Sequence, residues 1–339
     1  MSEPVNILIT LPFPENLVSS LKKIPTKLDI TVSKATKSED IPDDLWERTE
    51  ILYTNYVLPA ADQAPRLRWI QFHWAGVEHI MDDPILKKPG LVATTLSGAS
   101  ASQMAEYIMM MLLALGHQLP EIVANQIGRE WPSDRWEIFR PLELRQSTVG
   151  IVGYGSIGRQ VARLLHSFGA TVLATKRDAM QPEDHGYSPE GMGDPTGDFV
   201  HRIYPMEALI SMLKECDFVI ISLPKTPLTE NLISNEAISA MKSTAYLVDI
   251  SRGGIIDHEA LISALKERRI AGAALDVFPE EPLSEDSPLW ELPNVIITPH
   301  ISGVTAYYNE RAVELFASNL ERYLANQPLL NQIDINLGY

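Results

Sequence analysis

Three short segments put charged side chains directly after apolar runs. DISRGG at 249–254 carries Arg252. LDVFPEEP at 275–282 carries Asp276, Glu280 and Glu281. ITPHISG at 297–303 carries His300. In open α/β sheets, ligands lie beyond the carboxyl ends of the strands. A guanidinium there can hold an anion, and an imidazole can exchange a proton near neutral pH. Taken singly, each residue has an ordinary structural role. Arginine after a strand often serves a surface ion pair, histidine in T-P-H a capped turn, and paired glutamates a solvated turn. Their joint occurrence with a glycine loop outweighs those readings, and only Glu280 is left as solvated.

That loop is STVGIVGYGSIG at 147–158, where Gly153, Gly155 and Gly158 form G-x-G-x-x-G. The pattern is weak alone. Here it follows an apolar strand (Val149, Ile151, Val152) and opens an amphipathic helix through Ser156 and Ile157 (then Val161, Leu164, Leu165), the context a dinucleotide fingerprint requires. Gly153 permits the tight turn, Gly155 lets the backbone approach a pyrophosphate, and Gly158 lets helix and strand pack. Free N–H groups and the helix dipole then favour the anion. Some 18 residues on, an NAD site usually carries an acid for the ribose 2′-hydroxyl. Lys176 stands there instead and Arg177 follows it. Two cations suit a 2′-phosphate, so NADP(H) is expected ahead of NAD(H). The alternative leaves both cations solvated, with Asp178 reaching the ribose.

The elements that must position these residues read as two α/β halves. Strands are expected over 5–10, 28–32, 51–53, 69–72 and 91–94, with a helix near 15–23. A long helix over 100–115 contains the longest apolar run, 108–115, which is too short to span a bilayer. The stretch 119–145, with Trp131, Pro132, Trp136 and Pro141, reads as an irregular connection across a domain cleft. A second alternation follows: strands 148–152, 171–175, 218–223, 246–250, 271–277 and 295–298, with helices 157–168, 234–241, 257–267 and about 305–324. Between them, 178–196 reads as a long exposed loop. Strands alternating with helices imply parallel sheets.

The 339 residues suggest about two domains. Lys+Arg number 28 and Asp+Glu 44, a formal charge of −16. Such a surface makes nucleic acid and anionic membrane poor partners. The one cysteine, Cys216, excludes an intrachain disulfide framework and a multi-thiolate metal site, and no metal-ligand spacing appears. No targeting segment is visible, so a cytoplasmic location is expected.

GYGSIG, DISRGGIIDHEAL, GAALDVFPEEPL and TPHISG, in this order and spacing, resemble the D-isomer-specific 2-hydroxyacid dehydrogenase family from about residue 69 to 324. The resemblance implies a Rossmann coenzyme domain (100–303) inserted into a flavodoxin-like substrate domain (1–99 with 304–339), an active site between them, and a homodimer. It implies that Arg252 binds the substrate carboxylate and carbonyl, that His300 is the acid/base, and that Glu281 pairs with it and favours imidazolium. It also implies that Asp276 lies near the nicotinamide carboxamide, and that the Ala75-Gly76-Val77 turn holds the substrate carboxylate through backbone N–H groups. Leu223, Pro224, Thr229, Ile250 and Gly303 complete the implied coenzyme site.

The activity implied is hydride transfer between a nicotinamide coenzyme and a small 2-oxoacid, with glyoxylate or hydroxypyruvate first. D-Lactate and D-3-phosphoglycerate are alternatives, as is a dinucleotide-sensing binding protein of the same fold. Lys87 and Lys88 are the only cations between Val77 and Ser100, which lowers a phosphorylated substrate. Trp74 suggests a restricted pocket if it is not simply core. The family often has Asn where Asp249 stands, and a small effect is expected. A regulatory domain appended after the final helix is not expected.

Overall fold

The computed structural model describes residues 3–24, 27–335 and 337–338. The chain forms two compact units, Met1–Ser100 with Thr305–Tyr339, and Ala101–Val304.

In the first unit, apolar runs become five strands: β1 (Val5–Ile9), β2 (Leu28–Val32), β3 (Ile51–Thr54), β4 (Trp69–Phe72) and β5 (Val92–Thr94). All pair in parallel, in the order β2-β1-β3-β4-β5. This is the flavodoxin-like arrangement. Alternate residues of one strand feed opposite layers, as expected for a sheet covered on both faces. Ile7 and Ile9 pack with Phe316 and Leu320, whereas Leu8 packs with Trp46, Leu52 and Ile70. Phe316 and Leu320 belong to the helix Tyr308–Leu324, so the end of the chain completes the core built by its beginning.

The second unit holds seven parallel strands: β6 (Thr148–Val152), β7 (Thr171–Thr175), β8 (Arg202–Tyr204), β9 (Phe218–Ile221), β10 (Tyr246–Asp249), β11 (Gly272–Leu275) and β12 (Val295–Ile297). Their order is β12-β11-β10-β9-β6-β7-β8, the doubly wound Rossmann order with one further strand. The register aligns their last residues. Ile297, Leu275, Asp249, Ile221, Val152, Thr175 and Tyr204 form one row across the sheet. Every loop leaving that row therefore starts from the same edge, and the reversal of strand order falls between β6 and β9.

Several segments differ from the sequence expectation, among them the short helices Asp43–Arg48 and Leu209–Leu213, which it did not include. Within 119–145, Leu119–Gly128 is a helix and Arg135–Ile138 a further turn. Pro120 lies in the first turn, where its missing N–H costs nothing. The helix buries none of its residues, so its apolar side chains lack the core contact that makes such a pattern legible. The three-residue β8 was also not foreseen. Its short Arg-Ile-Tyr run has too few residues to show periodicity.

Candidate active site

The glycine loop leaves β6 at the switch point. Gly153 has φ +106°, and a Cβ there would lie 2.8 Å from the Ser222 carbonyl oxygen, so only glycine fits. At Gly155 a Cβ would meet no atom within 4 Å. The backbone therefore faces open space beside the N-terminus of the helix Ser156–Phe168, a cradle suited to a pyrophosphate. Leu223 lies against Gly153. The loop after β9 is folded by Thr229, whose hydroxyl donates to the Pro224 carbonyl at 2.8 Å. Ile250 is buried after β10. The Gly303 carbonyl accepts from Gln103 Nε2 at 3.0 Å.

At the end of β7, the Lys176 ammonium is held by the carbonyls of Gln181 and, at 2.8 Å, Glu183. Burial and the nearby Arg159 lower its pKa, opposed by Asp184, Asp178 and Glu183. The long loop is thus ordered against the coenzyme fold. Asp194, almost fully buried, accepts from the Tyr154 hydroxyl of the glycine loop and from the backbone N–H groups of 197–199. Arg159, 1% exposed, donates to the carbonyls of Asp194 and Pro182. The Lys176 ammonium therefore points into the loop, which the sequence alone did not reveal.

The turns that bear Arg252, Glu281 and His300 leave the same sheet edge as the glycine loop. Asp249 closes the turn before Arg252. Its Oδ1 accepts from Ser251 N–H at 3.0 Å and from the Ser251 hydroxyl at 2.5 Å. Arg252 Nη1 donates to the Ser251 carbonyl at 2.9 Å. The turn abuts the 278–281 segment, because a Cβ on Gly253 would fall 1.9 Å from the Phe278 carbonyl oxygen. Glu281 Oε1 accepts from Phe278 N–H at 3.0 Å, and its Oε2 lies 2.7 Å from His300 Nδ1. A carboxylate only accepts, so Nδ1 carries hydrogen and Nε2 is the atom left to exchange a proton.

His300 has φ +53°, unusual for a residue with a Cβ. Asp276 holds it there. The backbone N–H of His300 donates to the Asp276 carbonyl at 2.9 Å. The Asp276 carboxylate, fully buried, accepts from Ile301 and Ser302 N–H at 2.9 Å each and from the Thr298 hydroxyl at 2.5 Å. Asp276, which the resemblance places near a carboxamide, thus commits both oxygens to the turn that presents His300.

A family model described as "D-isomer specific 2-hydroxyacid dehydrogenase, NAD binding domain" matches residues 109–302. The chain belongs to the D-isomer specific 2-hydroxyacid dehydrogenase family. A glyoxylate reductase of Thermofilum pendens is 37% identical over 266 residues, 76% of this chain and 72% of that protein. A D-3-phosphoglycerate dehydrogenase of Methanocaldococcus jannaschii is 30% identical over 334 residues, 98% of this chain. The match spans 60% of the length of that relative. The solved structure of a D-isomer specific 2-hydroxyacid dehydrogenase from Xanthobacter autotrophicus Py2, in complex with NADPH and MES, has a TM-score of 0.81 at 25% identity and covers 99% of this chain and 100% of that one.

Asp249 itself is buried. Burial raises its carboxyl from 3.8 to about 7, against the Ser251 hydrogen bonds and with help from Asp276. The folded protein therefore binds this proton more tightly than the unfolded chain does, and stability falls as pH rises from about 4 to 7. Asp249→Asn removes the titration while keeping an acceptor for Ser251. Its melting temperature is expected to exceed wild type by more at about pH 8 than at about pH 4.5. Equal differences at both pH values in calorimetric scans would refute this.

In the first unit, Ala75-Gly76-Val77 follows β4 as the sequence spacing requires, with Val77 buried. His73 is buried beside it. It is hydrogen-bonded through Nδ1 to the Tyr53 hydroxyl at 2.8 Å and ringed by Phe13, Trp74 and Tyr308. Burial pushes its pKa down to about 4, so it stays neutral. Trp74 is 39% exposed and packs on Tyr308, which places it at the margin of this cluster. Cys216 is buried, and burial pushes its thiol up to about 12.

Proposed function

We propose that the protein is an NAD(P)H-dependent reductase of small 2-oxoacids, with glyoxylate and hydroxypyruvate the first substrates to test. The observation that carries this reading is the 2.7 Å Glu281–His300 pair on the sheet edge that also bears Arg252 and the glycine loop. When bound, the coenzyme supplies hydride to the substrate carbonyl carbon. Arg252 grips the carboxylate and polarises the carbonyl with its planar fork. His300 delivers the balancing proton from Nε2 to the carbonyl oxygen, and Glu281 stabilises the imidazolium that donates it. The N–H groups of Ala75-Gly76-Val77 are assigned to the substrate carboxylate. Gly153, Gly155, Ser156, Ile157 and Gly158 are assigned to the pyrophosphate.

NADP(H) is the favoured coenzyme. Lys176 and Arg177 at the end of β7 support this, and the Xanthobacter relative is described with NADPH. The engagement of Lys176 by loop carbonyls, with Asp178, Glu183 and Asp184 nearby, supports NAD(H) as the second reading. D-3-Phosphoglycerate is the second substrate reading, since one relative is named for it. Against it, the Lys88 ammonium is committed to the carbonyls of Ala64 and Pro65. A panel of 2-oxoacids, including the oxidised form of phosphoglycerate, followed by coenzyme absorbance tests all three points. Glyoxylate or hydroxypyruvate should give the highest kcat/KM, with NADPH ahead of NADH. A tenfold preference for NADH would overturn the coenzyme assignment.

A homodimer is part of the same proposal. Ile127, Trp131 and Trp136 are exposed, Trp131 by 84%. Apolar surface concentrated in one segment is typical of a face covered on association.

A further inference from the structure

The turn that carries His300 is tied to a helix that no part of the chemistry above uses. We propose that Tyr107 is a positioning residue for the acid–base histidine, acting through Thr298 and Asp276. This inference rests on His300 being the proton donor.

Tyr107 lies on the buried helix Ala101–Gly116, which packs on the sheet with Val248, Ala274 and Ile296. Its hydroxyl is 2.6 Å from Thr298 Oγ1, and Thr298 Oγ1 is 2.5 Å from Asp276 Oδ1. The direction of both hydrogen bonds follows from chemistry. The Asp276 carboxylate can only accept, so the threonine hydroxyl donates to it. Tyr107 must then donate to the threonine oxygen. Burial, with the carboxylates of Asp276 and Asp249 nearby, pushes the Tyr107 phenol up to about 12, so it keeps its proton at working pH.

The relay matters because of what Asp276 does. A non-glycine residue at φ +53° persists only where its surroundings over-determine it. Here the same carboxylate fixes the two N–H groups that follow His300, while its own backbone carbonyl fixes the N–H of His300. Thr298, braced by Tyr107, donates to the same Oδ1 that accepts from Ile301 N–H and so helps fix the rotamer of that carboxylate. Without them Asp276 can rotate, the turn loosens, and Nδ1 of His300 leaves its 2.7 Å contact with Glu281. The groups that face this turn are Glu281 on the histidine, with Asp276, Asp249 and Tyr107 behind it. Weakened pairing with Glu281 withdraws the negative partner that stabilises the imidazolium.

Tyr107→Phe removes one hydroxyl at nearly constant volume, and Thr298→Val removes both bonds. Each is expected to lower kcat for hydroxypyruvate reduction by about tenfold, the scale of a small misplacement of a reacting group. The basic limb of the pH–kcat/KM profile should move to lower pH. Coenzyme affinity, read by nicotinamide fluorescence, should stay within about twofold. Thr298→Ser keeps the hydroxyl and should retain the wild-type rate and profile. Tyr107→Phe and Thr298→Val with unchanged kcat and an unmoved pH limb would overturn the proposal. So would a rate loss matched by lost coenzyme binding, which marks a purely structural role. His300→Gln in the same assay separates the two levels. If it remains active, the functional reading fails. If it is inactive while the other variants are normal, only the positioning role fails.

Discussion

Replacing His300 with glutamine is expected to lower kcat for 2-oxoacid reduction by about three orders of magnitude, within the range for removing a general acid. Glutamine can still donate a hydrogen bond to Glu281 from its amide, so the turn built by Asp276 should survive. What it cannot do is hold a transferable proton opposite that bond. Coenzyme affinity should therefore stay within about twofold, since the glycine loop and the Ser156–Phe168 helix are untouched. The measurement is a steady-state rate beside a coenzyme titration. A variant retaining more than a tenth of the wild-type kcat would remove His300 from the proton-transfer role.

Arg252→Lys is the second large effect expected. Lysine keeps the charge but replaces a planar fork by a point donor, and it is shorter in reach. Arg252 sits in a turn with little freedom to adjust. Asp249 clamps Ser251 before it, and Gly253 after it is pressed against the Phe278 carbonyl. The backbone therefore cannot follow the shorter side chain. A loss of about 10²–10³ in kcat/KM is expected, roughly 3–4 kcal/mol of transition-state stabilisation. It should appear in both KM and kcat, because the same guanidinium is assigned to the carboxylate and the carbonyl. A loss confined to KM would restrict Arg252 to binding the carboxylate.

All the strands of the two sheets except β8 were legible because each is an apolar run between turn residues, and parallel pairing follows from the helices between them. The glycine loop was legible for the same reason: its spacing has meaning only between a strand and a helix. Arg252, Glu281 and His300 could be found because each follows a strand end, and the register lines those ends up in one row. The way the turns are held was not legible. Asp249 and Asp276 are visible as acids in sequence, but whether a carboxylate faces a ligand or its own backbone depends on one rotamer. Thr298 and Tyr107 carry no pattern at all, since a tyrosine in a buried helix reads as core. Lys176 shows the converse. Its type and place suit a phosphate, yet the fold of residues 178–198 turns the ammonium onto carbonyl groups. That outcome depends on Asp194 and Arg159 organising a segment without periodicity. The helix Leu119–Gly128 was obscured because its apolar face meets no core within its own unit.

Reduction of hydroxypyruvate by the wild-type protein, with coenzyme oxidation followed alongside chiral analysis of the glycerate formed, tests the assignment most directly. The expected result is D-glycerate, one molecule for each reduced nicotinamide consumed. Either L-glycerate or no turnover of any 2-oxoacid by coenzyme-bound protein would contradict it.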